Sequence, residues 1–402
     1  MSNILLVVDD IDSSRSGAVI LRDLALSLNK DDNECIVLAP NSKIKTSIKI
    51  SFKYGFKIVY FKNPTIKNIN FVKRAVNELV LSSNLLKTKA LISDYNINGI
   101  IYYSPSIFFG FGIKKLKKIF NVKAYLILRD IFPNWVVEKG LIFRNGLIHN
   151  FFKIFENINY SSADKIGVMS ESVKYNFSKR KDFKKFEVLP TWISIPKLSN
   201  FSKSYRKKFN LKNKLILFYG GNIGKAQSIK TLIKIVNRYK NSKKVHFIFI
   251  GNGDQSDSIK LLEKVQDNVT YFDEVNNETY TDMVSSFDVG IFSLDKKLKI
   301  SNYPGKVINY MSMGKPVIGI VNKENEIKSL INENNCGFIR NYEDDWEKEI
   351  ILFIDYLIEN RSEVRLIGKN GLRLVNEKFS TEFVKKRLLK FFNFLKIKSN
   401  NY

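Results

Sequence analysis

Short, continuous apolar runs recur along the chain, and each is followed by a polar or glycine-rich loop and a helical pattern. Runs of this kind are typical of parallel strands that are buried on both faces. In the first half they occupy residues 4–8, 35–39, 58–61, 99–103, 124–128, 165–169 and 187–189. In the second half they occupy residues 215–219, 246–250, 269–272, 289–292 and 317–320. The repetition predicts an α/β fold with two Rossmann-like, doubly wound domains.

The length of the chain supports this division. Its 402 residues exceed one ordinary domain, and a 44% share of hydrophobic residues can fill two cores. Two prolines interrupt the pattern within residues 190–196, where we predict a linker. The expected boundaries are an N-terminal domain of residues 1–190, a linker at 191–198 and a C-terminal domain of 199–380. A final amphipathic helix within 381–402 is expected to return to the first domain.

The chain is strongly basic, with 66 Lys and Arg residues against 39 Asp and Glu residues and a net charge of +27. This excess predicts attraction to phosphate-rich ligands, nucleic acid or anionic lipid. Solvated surface lysines explain the composition equally well. No sustained basic and aromatic nucleic-acid motif is present, so we expect no nucleic-acid partner.

The two cysteines, Cys35 and Cys336, are far apart and lack metal-site spacing, which indicates reduced thiols and a cytosolic chain. His149 and His246 fall in predicted regular elements and are interpreted as structural. We therefore expect no metal. No run approaches the roughly 18–20 apolar residues of a membrane span, so any membrane contact is expected to be peripheral.

Residues 106–120 mix phenylalanines with a cluster of lysines. An interfacial membrane helix has this composition, and so does an ordinary surface helix beside a sheet. Both interpretations stay open.

Residues 302–317 combine a proline-glycine turn, a lysine at a predicted helix start and a buried strand. Such a turn presents backbone N–H groups and a cation to one place, which suits an anion such as a diphosphate. Pro304, Gly305 and Lys306 are the candidates for this contact. The alternative for Lys306 is an ordinary exposed lysine at a helix start.

Glycine-rich turns follow strands in both halves of the chain. Gly221, Asn222, Gly224 and Lys225 follow the first strand of the second half, Gly251 follows the next strand, and Gly17 holds the matching position in the first half. Glycine permits close approach to a phosphate, but it also simply makes tight turns. A dehydrogenase would need an acidic residue near the second strand, and Asp254 keeps that alternative open.

Taken together, these motifs resemble family 4 glycosyltransferases of the GT-B fold. The resemblance rests in the second half on YGGNIGKAQ at residues 219–227, FIGNG at 249–253, FDVGIF at 287–292 and YPGKVINYMSMGKPV at 303–317. In the first half it rests on LILRDIFPNW at 126–135, YYSP at 102–105 and VVDD at 7–10, which are similar to the WbuB-like subgroup, the L-fucosamine transferases of O-antigen assembly.

The resemblance implies a retaining transferase that moves a sugar from a nucleotide diphosphate, UDP in this subgroup, to an acceptor hydroxyl without a metal. Its two domains would face each other across a cleft, with the nucleotide in the C-terminal one. The implied donor is UDP-N-acetyl-L-fucosamine, and the implied acceptor is an undecaprenyl-diphosphate-linked saccharide. The enzyme would then work on the anionic cytoplasmic face of a bacterial inner membrane.

The resemblance also implies roles for individual residues, and this chain departs from the family pattern at several of these positions. Lys306 and Lys225 would stabilise the departing diphosphate, while Asp130 would orient the acceptor or act as its base. Relatives commonly have a His-Asp pair where this chain has Arg129 and Asp130, so Arg129 is expected to contact phosphate or sugar hydroxyls. Two glutamates separated by seven residues are also common, and the matching positions here are Ser301 and Asn309.

Two other functions stay open. A non-hydrolysing UDP-N-acetylglucosamine 2-epimerase shares the two-domain architecture, although it needs several carboxylates in its site. A non-catalytic subunit that binds a nucleotide sugar is compatible with the departures at Ser301 and Asn309.

Overall fold

The computed structural model describes residues 2–138, 140–196, 205–297 and 303–394, and it divides into two compact units. The first unit contains the chain up to Pro190 and again from Thr381, and the second is Thr191–Ser380. Each unit is built around one sheet with helices packed against it. The predicted α/β class with two Rossmann-like halves is confirmed.

The first unit has an eight-stranded sheet in the described part of the chain. Its strands are β1 (Ser2–Val7), β2 (Asn33–Asn41), β3 (Ile48–Lys53), β4 (Phe56–Lys62), β5 (Ile97–Ser104), β6 (Lys123–Leu128), β7 (Lys165–Val168) and β8 (Phe186–Val188). Their order is β3-β4-β2-β1-β5-β6-β7-β8, and only the β3–β4 pair is antiparallel among these described strands. The helices before the linker are α1 (Ser16–Leu28), α2 (Phe71–Leu79), α3 (Leu81–Leu86), α4 (Lys89–Ile92), α5 (Gly110–Phe120), α6 (Asn134–Glu138), α7 (Leu147–Ser162) and α8 (Glu171–Tyr175).

The second unit has a sheet whose pairs are all parallel across the described strands. The strands are β9 (Leu215–Gly220), β10 (Val245–Ile250), β11 (Val269–Phe272), β12 (Val289–Ser293), β13 (Val317–Val321) and β14 (Gly337–Asn341), in the order β11-β10-β9-β12-β13-β14. The helices are α9 (Tyr205–Lys208), α10 (Ile229–Arg238), α11 (Ser256–Val265), α12 (Asn277–Ser285), α13 (Gly305–Ser312), α14 (Ile327–Glu333), α15 (Trp346–Glu359) and α16 (Arg361–Lys378).

Strand β9 shows why these apolar runs become buried parallel strands. Side chains alternate between the two faces of a strand, so Ile216 and Phe218 enter one core while Leu217 and Tyr219 enter the other. Helices cover both faces, and every residue of β9 is buried. A continuous apolar run is therefore the expected pattern for this strand.

The last described helix, α17 (Thr381–Phe391), packs on the first unit although it follows the second in sequence. The buried Lys385 pairs with Asp31 on the first unit, and Arg387 donates to the carbonyl of Val188 at 2.8 Å. The ring of Phe392 lies against Gly99, where even a Cβ atom would come within 2.7 Å of it. These contacts complete the first unit with a segment distant in sequence.

Several elements differ from the prediction. Strand β3 was not predicted, and it joins β4 through Tyr54 and Gly55, which both have positive φ angles. Strand β14 and helix α16 were also not predicted. None of the helices among the described residues is both long and apolar enough to cross a membrane.

The segment predicted as a linker is packed where it is described. Trp192 is buried, and the Ile193 N–H donates to the carbonyl of Phe379 at 2.8 Å. Residues 197–198, the end of the predicted linker, lie outside the described residues.

Candidate functional site

The turns that follow β9 and β10 lie against each other at the carboxyl end of the second sheet. The Gly221 N–H donates to the Ile250 carbonyl at 2.9 Å, and the Ile223 N–H donates to the Asn252 carbonyl at 2.9 Å. A Cβ atom on Gly251 would lie 2.1 Å from the Gly221 carbonyl oxygen. Gly221 and Gly251 also have φ angles of 113° and 136°, so both positions require glycine.

Asp254 stabilises the Gly224–Lys225 part of this turn. Its Oδ1 atom accepts a hydrogen bond from the Lys225 N–H at 3.1 Å. The Lys225 side chain is exposed on a 3₁₀ turn that precedes α10. This bond gives Asp254 a role in shaping the loop, independent of any ribose.

Three tyrosines surround Gly220 beneath the turn. The Gly220 N–H donates to the Tyr310 hydroxyl at 2.8 Å, and the Tyr219 hydroxyl donates to the Asn222 carbonyl at 2.5 Å. A Cβ atom on Gly220 would lie 2.3 Å from the Tyr280 hydroxyl, so this position also has no space for a side chain. The sequence did not reveal the roles of Tyr280 and Tyr310, because nothing local relates α12 or α13 to the β9 turn.

Lys306 lies at the start of α13, directly beside this turn. Its Nζ atom donates to the Tyr219 hydroxyl at 2.5 Å and lies 3.9 Å from the centre of the Tyr219 ring. It would be 3.8 Å from a Cβ atom on Gly221, so the glycine leaves space next to the amine. The side chain is half-buried, and this burial lowers the pKa of Lys306 to about 7.

The first turn of α13 adds backbone donors to the same place. Pro304 is the N-cap, and a Cβ atom on Gly305 would meet nothing within 4 Å. The first N–H groups of a helix have no acceptor within the helix, and they carry the positive end of its dipole. Lys306 and the start of α13 thus form an electropositive corner above Gly221.

Two amide side chains near this corner have a buried oxygen without a hydrogen-bond donor among the described residues. They are Asn309 on α13 and Gln227 at the end of the 3₁₀ turn. Asn309 was predicted as a site residue from its motif. Gln227 ends the motif at residues 219–227 but was not predicted as a site residue. A buried acceptor of this kind is suited to a donor on a ligand, such as a hydroxyl or amide. Ser301, the other predicted position, lies outside the described residues.

A separate group of charged residues lies in the first unit. Asp9 follows β1, is 4% exposed and forms an ion pair with Lys67. Close by in the same unit, Arg74 contacts Glu78 at 2.7 Å. Lys67, Arg74 and Glu78 were not predicted as site residues, because they lie on a loop and a helix outside the recognised motifs.

Asp130 lies at the end of β6 beside this group. Its side chain reaches solvent, yet the surrounding protein desolvates it and raises the pKa of its carboxyl group. The negative charge of Asp9 also raises this pKa, while Lys67, Arg74 and Arg129 lower it. A carboxylate with a raised pKa is suited to accept a proton near neutral pH.

Comparison with known protein families gives a match within the second unit. Residues 213–360 match the family model of glycosyl transferases group 1. The matched segment lies within the second unit. The Gly221 turn and Lys306 both lie within the matched residues. Asp130 and its charged neighbours, which we call the Asp130 group, lie outside them; the neighbours are Asp9, Lys67, Arg74 and Glu78.

Two relatives match longer parts of the chain. A probable glycosyltransferase, WbjE of Pseudomonas aeruginosa, is 23% identical over 229 residues, which are 56% of this chain and 57% of WbjE. The chain thus matches little more than half of WbjE. The uncharacterized glycosyltransferase MJ1069 of Methanocaldococcus jannaschii is 23% identical over 370 residues, 88% of each chain.

Solved structures show that the whole chain has the GT-B fold. Sucrose-phosphate synthase of Thermosynechococcus elongatus superposes with a TM-score of 0.66 at 15% identity, covering 98% of each chain. HepE of Anabaena, solved with UDP-glucose, superposes with a TM-score of 0.62 at 14% identity, covering 98% of this chain and all of HepE. The predicted GT-B fold is confirmed.

The environment of Arg129 differs from the prediction. It was expected to contact phosphate or sugar hydroxyls, but its guanidinium group is buried and donates to the carbonyls of Leu189 at 2.9 Å and Pro190 at 3.2 Å. Burial lowers the pKa of Arg129 to about 10. Because these bonds hold the segment after β8, the geometry favours a structural role.

Gly17 was predicted in the loop before the first helix but lies in the first turn of α1, and a Cβ atom there would be 3.4 Å from the Tyr103 hydroxyl. No ligand contact is tested for Gly17, and its role stays a prediction.

Proposed function

We propose that this protein is a retaining glycosyltransferase that uses a nucleotide sugar. One observation carries the proposal: Lys306, a half-buried amine at a helix start, lies beside the space left by Gly221. Burial lowers the pKa of Lys306, and no carboxylate of the described residues forms an ion pair with its amine. A diphosphate would supply the missing negative charge.

The positive charge of Lys306 would lie where negative charge develops during the reaction. When the bond between the anomeric carbon and the diphosphate breaks, negative charge accumulates on the leaving oxygen. Lys306, assisted by Lys225 and by the N–H groups of Gly221, Asn222 and Gly305, stabilises that charge. Positioned donors of this kind lower the barrier because they bind the transition state more strongly than the substrate.

The acceptor side is assigned to the Asp130 group. The acceptor hydroxyl forms a new bond to the anomeric carbon and transfers its proton to the Asp130 carboxylate. The new bond forms on the face from which the diphosphate leaves, so the configuration is retained. Asn309 accepts a hydrogen bond from a ribose hydroxyl of the nucleotide, through the oxygen that has no described protein donor.

The comparisons support UDP as the nucleotide. HepE was solved in complexes with UDP and with UDP-glucose, and an Escherichia coli trehalose-6-phosphate protein was solved with UDP-2-fluoro glucose. The resemblance of the first-half motifs to the WbuB-like subgroup supports UDP-N-acetyl-L-fucosamine as the donor and an undecaprenyl-diphosphate-linked saccharide as the acceptor. We place the reaction at the cytoplasmic face of a bacterial inner membrane and propose that it needs no metal.

A product analysis tests this function. The protein would be incubated with UDP-N-acetyl-L-fucosamine and a lipid-diphosphate-linked amino sugar, with and without EDTA, and the products identified by mass spectrometry. We expect free UDP and a lipid-linked disaccharide in both samples, with the anomeric configuration retained by NMR.

Other outcomes identify the alternatives. An isomeric UDP-sugar formed without acceptor would indicate a 2-epimerase. Thermal stabilisation by UDP-N-acetyl-L-fucosamine without any turnover would indicate a non-catalytic binding subunit, for which Asn309 in place of the family's glutamate is the specific observation. Loss of turnover in EDTA would contradict the metal-free mechanism.

A further inference from the structure

Helix α7 of the first unit is apolar on two opposite sides. Its inner side places Phe152 and Tyr160 in the core. Its outer side exposes Leu147, Phe151 and Ile154, which recur at the helical spacing of three and four residues. A surface helix normally presents polar residues to water, so the outer side of α7 requires another explanation.

The loop that leads into α7 extends the exposed apolar surface. Phe143 in this loop is 90% exposed, and it precedes Leu147 and Ile148 in the first turn of α7, of which Leu147 is 91% exposed and Ile148 is also exposed. We call Phe143, Leu147, Ile148, Phe151 and Ile154 the α7 apolar face. Contiguous apolar surface of this kind marks interaction sites on soluble proteins.

The α7 apolar face continues onto α5 through aromatic contacts. The ring centres of Phe151 and Phe155 are 5.0 Å apart, and those of Phe155 and Phe111 are 6.2 Å apart. Phe111 is itself exposed on α5. The two helices therefore present one continuous apolar surface.

Basic residues border this surface. Lys114, Lys115 and Lys118 are exposed and lie three, four and seven residues after Phe111, on the same side of α5. Arg144 is exposed between the apolar residues of the loop. The sequence has no Asp or Glu within residues 110–120 or 141–155, so no acidic group on these segments offsets the positive charge.

From this arrangement we infer that the α7 apolar face is a docking surface for an anionic lipid bilayer. Apolar side chains would enter the boundary between headgroups and acyl chains, while the bordering lysines and Arg144 contact lipid phosphates. Charge complementarity selects a bilayer over a second copy of this chain. Two copies meeting through this face would bring their two lysine clusters together.

The inserted part differs from the one predicted from sequence. The phenylalanines of residues 106–120 were considered as the membrane contact, but Phe108 and Phe109 are buried in the core. α5 thus supplies mainly the lysines, whereas the preceding loop and α7 supply the apolar side chains. The chain leads from Asp130 through α6 to this surface. The inference therefore rests on the proposed function and deepens it, because it assigns a lipid partner to the unit that we propose binds the acceptor.

Vesicle sedimentation tests the docking surface. Phe143→Asn with Leu147→Asn would be compared with wild type on vesicles of phosphatidylglycerol mixed with phosphatidylcholine. We expect the partition coefficient to fall at least about tenfold, since burying each large apolar side chain is worth about tenfold or more. The matched control is Leu261→Asn with Val265→Asn on α11, where both residues are similarly exposed, and it should bind like wild type.

A second set of variants tests the lysines. Lys114→Gln, Lys115→Gln and Lys118→Gln together should weaken binding to the mixed vesicles by about fivefold per lysine. Binding to vesicles of phosphatidylcholine alone should be little changed, because those vesicles carry no net charge.

Three results would overturn the inference: wild type that does not sediment with the mixed vesicles, an equal loss in the α11 control, or a wild-type dimer that becomes monomeric in Phe143→Asn with Leu147→Asn while vesicle binding stays unchanged. UDP binding measured without lipid keeps this test separate from the proposed function. Vesicle binding without UDP binding would retain the docking surface and reject the transferase, whereas the reverse would reject only the docking surface.

Discussion

Lys67 in the first unit and Lys306 in the second differ in how the fold neutralises them. Lys67 lies in the loop after β4 and forms an ion pair with the buried Asp9 at the end of β1. Lys306 lies at the start of α13, and its described side-chain contacts are with Tyr219, through the hydroxyl and the ring.

This difference separates a lysine that stabilises its unit from one that is available to a ligand. The Lys67 charge already has its counter-charge within the fold. Within the described part of the chain, Lys306 is desolvated without such a partner, which is unfavourable for the folded state and favourable for binding an anion. This contrast supports the proposed anion site at Lys306, which the following experiments test from the largest expected effect to the smallest.

Replacing Lys306 should have the largest effect. Lys306→Met should lower kcat/KM about 10²- to 10³-fold, as expected when one positioned donor to a developing anion is lost. The same change should raise the free energy of unfolding, because a desolvated amine is replaced by an apolar side chain of similar length. Product formation and urea denaturation measure the two quantities.

Lys230→Met is the matched control, since Lys230 is exposed on α10. It should change neither quantity. Wild-type turnover in Lys306→Met would show that Lys306 is only a surface lysine at a helix start.

The opposite behaviour is expected for Lys67. Lys67→Met leaves the buried Asp9 without its counter-charge and should reduce the free energy of unfolding by about 3 kcal/mol. UDP affinity, which belongs to the second unit, should stay unchanged. Adding Asp9→Asn should recover part of the lost stability, while the exposed Lys73→Met serves as the control. An unchanged denaturation midpoint in Lys67→Met would remove the contrast with Lys306.

The pH dependence of UDP binding provides a smaller effect with a definite sign. The pKa of Lys306 is about 7 in the free protein, and a bound diphosphate raises it. The complex then holds more protons than the free protein above pH 7, so affinity should fall as pH rises, by at most about tenfold per unit. Calorimetry should show this slope in wild type and none in Lys306→Met. An affinity that rises with pH would contradict the assignment.

The smallest effect is expected at Asn309. Wild type should bind UDP about two- to tenfold more tightly than 2′-deoxy-UDP, the range of one neutral hydrogen bond. Asn309→Ala should bind the two nucleotides equally. If the variant keeps the preference, another group contacts the ribose hydroxyl.

The strands and the turn glycines of this fold were predictable because their signal is local. Leu215–Gly220 is a continuous apolar run, and Gly221 needs a positive φ angle in a turn, so sequence alone locates both. Strand β3 was not predicted because it lies at the edge of the sheet and is largely exposed. Apolar and polar residues alternate in Ile48–Lys53, so it lacks the continuous apolar run that identified the other strands.

The pairing of site residues was not predictable, because it depends on contacts between distant segments. Arg129 and Asp130 are adjacent polar residues after β6, and their pattern gave both a role at the site. In the structure, the buried Arg129 side chain donates hydrogen bonds to the carbonyls of residues 189 and 190, whereas Asp130 reaches solvent. Likewise, Lys306 meets Tyr219 across 87 positions of sequence.

Helix α17 has a consequence for the order in which the protein can fold during synthesis. Its residues leave the ribosome after the whole second unit, yet they supply Lys385 for Asp31 in the first unit, and Phe392, directly after the helix, covers Gly99. The second unit can therefore close as a contiguous segment while the earlier-made first unit still lacks this helix. The nascent first unit must wait, with apolar surface uncovered, for a helix that is translated only after the second unit.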